Sequence, residues 1–307
     1  MIIDVIIPTY KPNETFKQLV DILERQTVPI NRIIVMNTEE KYMEALHIGT
    51  RFLAEHKKLS IYHLSRKEFD HGKTRNKGAS KSDADVFVFM TQDAIPKDEM
   101  LIEKLTAPLA DSKIACSYAR QLPAADATVT ERLTRDFNYP AKAFIKTKKD
   151  LEKLGIKTYF CSNVCCAYNA GIFREMKGFV NRTIFNEDMI YAAKAIENGY
   201  GIAYAADACV VHSHNYSGKQ QFHRNFDLGV SQAEHPEIFE GISSESEGIR
   251  MVKDTIAKLK AAGAAREIPA YVYTTGCKYI GYRLGKMYKK LPNWLIMKCT
   301  MSPLYFR

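Results

Sequence analysis

Residues 84–100 read ADVFVFMTQDAIPKDEM. The apolar run Val86–Met90 has the character of a fully buried strand, and it drops at once into Thr91-Gln92-Asp93. Strands of that kind present their ligand-binding residues at this end. One carboxylate, Asp93, therefore stands where chemistry is expected, with Gln92 before it; the plainer use of Asp93 is to cap a helix after Pro96. His212 and His214 follow another apolar run and lie two apart, so extended backbone turns them to the same side. Asn186-Glu187-Asp188 opens a helical pattern, where a carboxylate is favourable on electrostatic grounds alone. His71-Gly72-Lys73-Thr74-Arg75-Asn76 lacks the glycine spacing of a P-loop and reads as a basic, Gly-hinged loop reaching an anion through Lys73 and Arg75. Arg224 is a further cation that could meet the same anion.

These residues need a scaffold that brings them together. Residues 2–7, 32–37, 59–64 and 86–90 read as buried strands, with helical spacing over 14–25 and 42–56 between them. Strand–helix alternation implies a mainly parallel sheet with helices on both faces. Pro8-Thr9-Tyr10, Asn37-Thr38 and Gln92-Asp93 all fall at carboxyl ends of strands and are expected to converge. Beyond them, 114–122 reads as a strand, and 124–150 as a polar loop with a short helix. The stretch 186–200 reads as a helix ended by Gly199; 201–217 reads as a strand or strand pair ending in two histidines, and from 219 onward the pattern is helical.

Composition narrows the class. With 307 residues, 46% hydrophobic and 26% charged, the chain is globular. The apolar start is short and lacks a cleavage site, and no segment reaches the roughly 18 apolar residues of a membrane span, so a cytoplasmic protein is expected. Seven cysteines without framework or zinc-finger spacing read as buried free thiols. The net charge of +9 is concentrated in the tail: Ala270–Arg307 holds seven Lys or Arg and no Asp or Glu, leaving +2 for the rest. That distribution, without a recognition motif in the body, argues against a nucleic-acid partner.

In their order, VIIPTY, FDHGKTRN, FMTQDA, GF…NED and VVHSHNYS resemble family 2 of the inverting glycosyltransferases, which have the GT-A fold. Within that family they resemble the bacterial rhamnosyltransferases, which use dTDP-L-rhamnose to build cell-surface polysaccharides. The likeness runs from residue 2 to about 230. It implies a GT-A domain over 1–230, with a nucleotide-binding half (1–100) and an acceptor half (101–230), and a helical basic extension over 231–307. It also implies a divalent cation, Mg²⁺ or Mn²⁺, on Asp93 and a histidine, His214 before His212. The family usually ends this strand in Asp-x-Asp; here only the final Asp remains. Asp188 takes the place of the base that accepts the acceptor's proton. The nucleotide sugar falls to Pro8, Thr9, Tyr10, Asn37, Glu39, Lys73, Arg75, Asn76, Gln92, Asp93 and Arg224. Gln221-Phe222-His223-Arg224 is similar to a Gln-x-x-Arg-Trp element, but Asn225 replaces the Trp, against a processive polymerase. The alternatives are a UDP-hexose donor, or a non-catalytic GT-A assembly subunit.

In the tail, Tyr273, Cys277, Ile280, Leu284, Met287 and Leu291 recur at helical spacing among lysines and arginines. A basic amphipathic helix suits an anionic membrane surface, beside a lipid-diphosphate-linked saccharide acceptor; the same stripe also suits internal packing or a homodimer.

Overall fold

The structure is a computed structural model that describes residues 1–240 and 245–307, with only the backbone of 245–247. Positions 241–244, within the region expected to be helical, lie outside the described residues. Among the described residues, nine strands form one sheet: β1 (Ile3–Tyr10), β2 (Arg32–Thr38), β3 (Leu59–Leu64), β4 (Val86–Met90), β5 (Ile95–Pro96), β6 (Ile114–Leu122), β7 (Phe144–Lys146), β8 (Cys165–Asn169) and β9 (Gly201–Val211). Their order is β3-β2-β1-β4-β8-β6-β9-β5, with β7 beside β9. The first four are parallel, β8 runs antiparallel between β4 and β6, and β6 is parallel to β9. Side chains alternate across the sheet as extended backbone demands. Ile6, Phe87 and Phe89 join one core; Val5, Ile7, Val86, Val88 and Met90 join the other. Burial on both faces explains the apolar runs Val5–Ile7 of β1 and Val86–Met90 of β4.

Seven helices bear on the site: α1 (Glu14–Glu24), α2 (His71–Ala79), α3 (Val129–Asn138), α4 (Glu187–Glu197), α5 (Gly218–Glu234), α6 (Ile268–Lys286) and α7 (Asn293–Cys299). The helix expected over 42–56 is two short ones, Lys41–Ala45 and Thr50–Glu55, separated by His47 in the left-handed region at φ 55°. The stretch 71–76 is no loop. Asp70 caps α2 by accepting from the N–H groups of Gly72 and Lys73, and the helix follows. The polar stretch 124–150 holds α3, capped by Thr128, and β7. All seven cysteines are free thiols, Cys277 half-buried and the others buried.

The boundary expected at 230 falls inside α5, which carries the tail. Gly281 and Gly285 of α6 lie so close to α5 that an added Cβ would stand 2.2 and 2.1 Å from the carbonyl oxygens of Phe222 and Phe226. Only glycine allows that approach. The six-residue stripe is therefore not the contact face as a whole: Leu284 packs inward, whereas Tyr273 and Ile280 are 66% and 55% exposed. No described helix is long and apolar enough to cross a membrane.

Candidate active site

The strand ends do converge. At the end of β4, Asp93 faces both histidines that follow β9: its carboxylate oxygens lie 3.6 Å from His212 Nε2 and 3.3 Å from His214 Nε2. The two Nε2 atoms are 3.2 Å apart. Two ligands held at ~2.1 Å and a right angle around one ion would stand ~3 Å apart, so the spacing suits a shared cation. The second nitrogen of His212 supports the same use. His212 Nδ1 lies 3.1 Å from Gln121 Oε1, an acceptor, which assigns the proton to Nδ1 and leaves the Nε2 lone pair facing Asp93. Burial pushes His212 down to about 3, and burial also lowers His214, so both rings are neutral and able to ligate. One carboxylate and two neutral imidazoles fit a divalent transition ion such as Mn²⁺. The geometry brings in both histidines, not one.

Gln92, the middle residue of the Thr91-Gln92-Asp93 strand end, has a different task. Its Oε1 accepts from the Tyr10 N–H at 2.9 Å and its Nε2 donates to the Tyr10 carbonyl at 3.1 Å. A carboxylate could not make the second bond. Gln92 thus ties the end of β1 to the end of β4 through both of its side-chain polar atoms.

Asp188 lies at the start of α4, half-buried. Its carboxylate accepts from the backbone N–H groups of Asn163 (2.9 Å) and Met189 (2.8 Å). Burial first, then the adjacent Glu187 charge, pushes its carboxyl up to about 8. Glu187 behaves in the opposite way. Burial raises it, but Arg75 and His71 outweigh burial and hold it below the usual carboxylate range. Two neighbouring carboxyls with values driven apart, one fixed as a charge and one able to exchange a proton, are a frequent arrangement of acid–base sites.

The FDHGKTRN segment builds this corner. Arg75, 5% exposed, pairs with Glu187 at 3.1 Å. Asn76 accepts from Phe179 N–H and donates to Phe179 O, and Asp70 accepts from Thr183 N–H. Gly72 lies against Val180 O, 1.9 Å from where a Cβ would be. Arg75 and Asn76 are therefore committed to the 178–188 loop and do not face an open anion site; the polar residues that read as a phosphate loop are the docking face of a helix. Lys73 is exposed on α2.

The remaining expected residues divide. Tyr10 lines a cavity with Thr38. Thr9 and Asn37 are buried beneath it, Thr9 Oγ1 donating to Asn37 Oδ1 at 3.0 Å, so Asn37 supports the strand ends from inside. Pro8 is half-buried in β1. Glu39 accepts from Arg66 N–H and positions that loop. Arg224 projects from α5 with its guanidinium 4.6 Å from the Phe185 ring centre and 5.8 Å from that of Tyr216, which itself stacks on His214.

Two residues that join the parts of the site gave no signal in the sequence. Asn163 binds both acidic residues, its backbone to Asp188 and its side chain to Glu187 at 3.1 Å, while Tyr168 donates to its Oδ1 at 2.7 Å. Gln121, at the end of β6, donates to Ser162 Oγ at 2.9 Å while its carbonyl faces His212. Gln121 and the 162–163 turn thus link the histidine cluster to Asp188.

The family model for glycosyl transferase family 2 matches residues 4–177. The chain belongs to that family. Among curated family 2 relatives, the O-antigen chain rhamnosyltransferase RfbN of Salmonella typhimurium is 41% identical, over 99% of this chain and 95% of its own. The O-antigen chain rhamnosyltransferase WbaN of Salmonella anatum is 38% identical, over 98% and 93%. Solved structures share the fold. The mannosyltransferase PcManGT of Pyrobaculum calidifontis, in complex with GDP-Man and Mn²⁺, aligns over 99% of this chain and 84% of its own with a TM-score of 0.58 at 15% identity. S. aureus TarS 1-349 in complex with UDP-GlcNAc aligns over 94% and 92% with a TM-score of 0.54 at 14% identity. The GT-A architecture expected for family 2 is thereby established, with an antiparallel β8 in its sheet.

Proposed function

We propose that the protein is an inverting rhamnosyltransferase that transfers L-rhamnose from dTDP-β-L-rhamnose to a lipid-diphosphate-linked saccharide during O-antigen synthesis. The observation that carries this reading is the near-full-length identity to two chains named O-antigen chain rhamnosyltransferases. The site supplies compatible chemistry. Asp188 takes the proton of the acceptor hydroxyl as that oxygen attacks the anomeric carbon from the face opposite the diphosphate. A single displacement on a β-linked donor yields an α-L-rhamnoside. Asp93, His212 and His214 would hold Mg²⁺ or Mn²⁺, which supplies positive charge to the departing diphosphate. Arg224, close enough to His214 to lower its basicity, adds a second cation on the same side. In this reading residues 1–100 carry the nucleotide and 101–230 the acceptor.

The same proposal places the enzyme on the cytoplasmic face of the membrane. On the outside of α6 and the start of α7, Val272, Tyr273, Ile280 and Trp294 are exposed, and Lys289 and Lys290 lie exposed between them. An apolar and aromatic strip among cations, on a tail without acidic residues, complements an anionic bilayer surface. The decisive assay follows nucleotide release from dTDP-β-L-rhamnose and from UDP-hexoses, with Mn²⁺ or Mg²⁺ and a lipid-linked saccharide extract. Selective, acceptor-dependent release from the rhamnose donor supports the proposal. Turnover of a UDP-hexose instead reassigns the donor, and no turnover of any donor turns the chain into a non-catalytic subunit. For the membrane surface, an Ile280→Glu, Trp294→Glu variant is expected to stay in the supernatant with anionic vesicles that pellet the wild type. Self-association of the wild type without vesicle binding would make the strip a dimer interface.

A further inference from the structure

The cavity that Tyr10 and Thr38 line, at the ends of β1 and β2, has a volume of about 270 Å³. Its opposite wall is the last stretch of the chain, Met301–Tyr305. We propose that this C-terminal segment is a built wall of the nucleoside subsite, so that donor binding depends on the tail; the proposal rests on the nucleotide-sugar reading above.

Position comes first. Tyr10 is held through both backbone groups by Gln92, the neighbour of Asp93. A nucleoside in the cavity therefore lies one residue contact from the cation cluster that would take its diphosphate. Size agrees: ligand pockets commonly span roughly 300–1,000 Å³, so this one suits part of a nucleotide sugar and not the whole. The lining agrees too. The Tyr10 ring, with the Arg66 guanidinium 5.6 Å from its centre, and Pro303 and Leu304 across the space offer flat and apolar faces, while Thr38 supplies a polar group at the strand end. That combination recognises a heterocyclic base with its sugar.

The wall is anchored rather than draped. Buried Asp227 of α5 accepts from Thr300 Oγ1 at 2.6 Å and from Met301 N–H at 3.0 Å. Tyr305 Oη donates to Glu234 at 2.5 Å, and Arg182 lies 5.2 Å from the Tyr305 ring centre. His223 Nδ1 meets the Cys299 carbonyl at 2.7 Å. These contacts bring the last residues of the chain back to the first strand. Hence the tail is not a detachable membrane anchor: removing everything after about residue 263 would open the nucleoside cavity as well as remove the basic helix.

The test compares dTDP with inorganic pyrophosphate, each titrated calorimetrically in Mn²⁺ against the wild type, Leu304→Ala and a chain ending at Ser302. Pyrophosphate reports the cation cluster alone; dTDP adds the nucleoside. The expected result is about tenfold weaker dTDP binding for the shortened chain and about threefold for Leu304→Ala, with pyrophosphate binding and the far-ultraviolet dichroism unchanged. Unchanged dTDP affinity in both variants overturns the proposal, as does an equal loss of dTDP and pyrophosphate binding. Wild-type protein that binds pyrophosphate but neither dTDP nor UDP overturns the nucleotide-sugar reading itself, a different outcome from a wild type that binds dTDP regardless of its tail.

Discussion

Asp93 and Asp188 are both carboxylates at element ends in one cleft, yet their surroundings are opposed. Asp93 is 40% exposed and meets His212 and His214, whose Nε2 atoms lie 3.6 and 3.3 Å from its oxygens. Burial keeps both rings neutral, and a carboxylate beside two neutral imidazoles offers the ligand atoms that a divalent cation takes. Asp188 is held by two backbone N–H groups and lies next to a second carboxylate that Arg75 keeps charged. Burial and repulsion then raise its proton affinity. In the proposed function one aspartate shares a cation and the other exchanges a proton. Residue type does not divide these roles; the atoms aimed at each carboxylate do.

The sharpest way to break that contrast is to remove each in turn. Asp188→Asn is expected to lower turnover by on the order of 10²–10⁴-fold while Mn²⁺-dependent nucleotide binding stays intact. Asp93→Ala, or chelation of the metal, should weaken nucleotide binding and turnover together. Turnover of Asp188→Asn within threefold of wild type would remove the base assignment. Next in size is the support beneath Asp188. Arg75→Met strands the buried Glu187 charge and should cost about 3–5 kcal/mol in urea unfolding. Lys73→Ala, on the exposed side of the same helix, should cost at most ~0.5 kcal/mol; equal costs would contradict the assignment of Arg75 to the scaffold. A smaller effect is expected at the link between the two ends. Gln121→Leu frees the His212 ring and should weaken Mn²⁺ affinity about 10–100-fold, readable by electron paramagnetic resonance of bound Mn²⁺.

The contrast was half legible in the sequence. Strand ends carry their chemistry openly: apolar runs that stop at polar residues drew attention to Asp93, His212 and His214, whereas the helix-opening acidic pair was ordinary by itself and Asp188 was chosen from it by resemblance to family 2. What failed to show was support. Arg75 and Asn76 read as phosphate contacts because their partners, Glu187 and Phe179, are about a hundred residues away in the chain. Asp70 was a usable sign of the helix, a capping residue, but Gly72 and the run of polar residues after it obscured the pattern. Gln121 and Asn163 lie in buried, irregular surroundings where no spacing separates a structural amide from a positioning one. In the tail, helical periodicity placed Tyr273, Cys277, Ile280 and Leu284 on α6, but the helix ends at Lys286, before Met287 and Leu291, and backbone approach at Gly281 and Gly285 decided which face packs. Periodicity of apolar side chains cannot register a contact made where side chains are missing.

The last prediction concerns the proton itself. Asp188 must be ionised to accept the acceptor's proton, and its folded-state value stands at about 8, far above an ordinary aspartate. A raised value keeps the group protonated, and idle, as pH falls through that value. The acidic limb of kcat/KM should therefore lie near pH 8, with the rate falling about tenfold per unit below it, where an unperturbed carboxylate would hold its rate down to about pH 4. Glu187 is the second cause of the shift, after burial. Glu187→Gln keeps a side-chain acceptor for Asn163 while removing the repelling charge, so the same limb should move to lower pH. Burial alone would then hold it above the ordinary range. A limb that stays in place in Glu187→Gln would assign the whole shift to desolvation, and a wild-type limb below pH 5 would mean that Asp188 is not the proton acceptor.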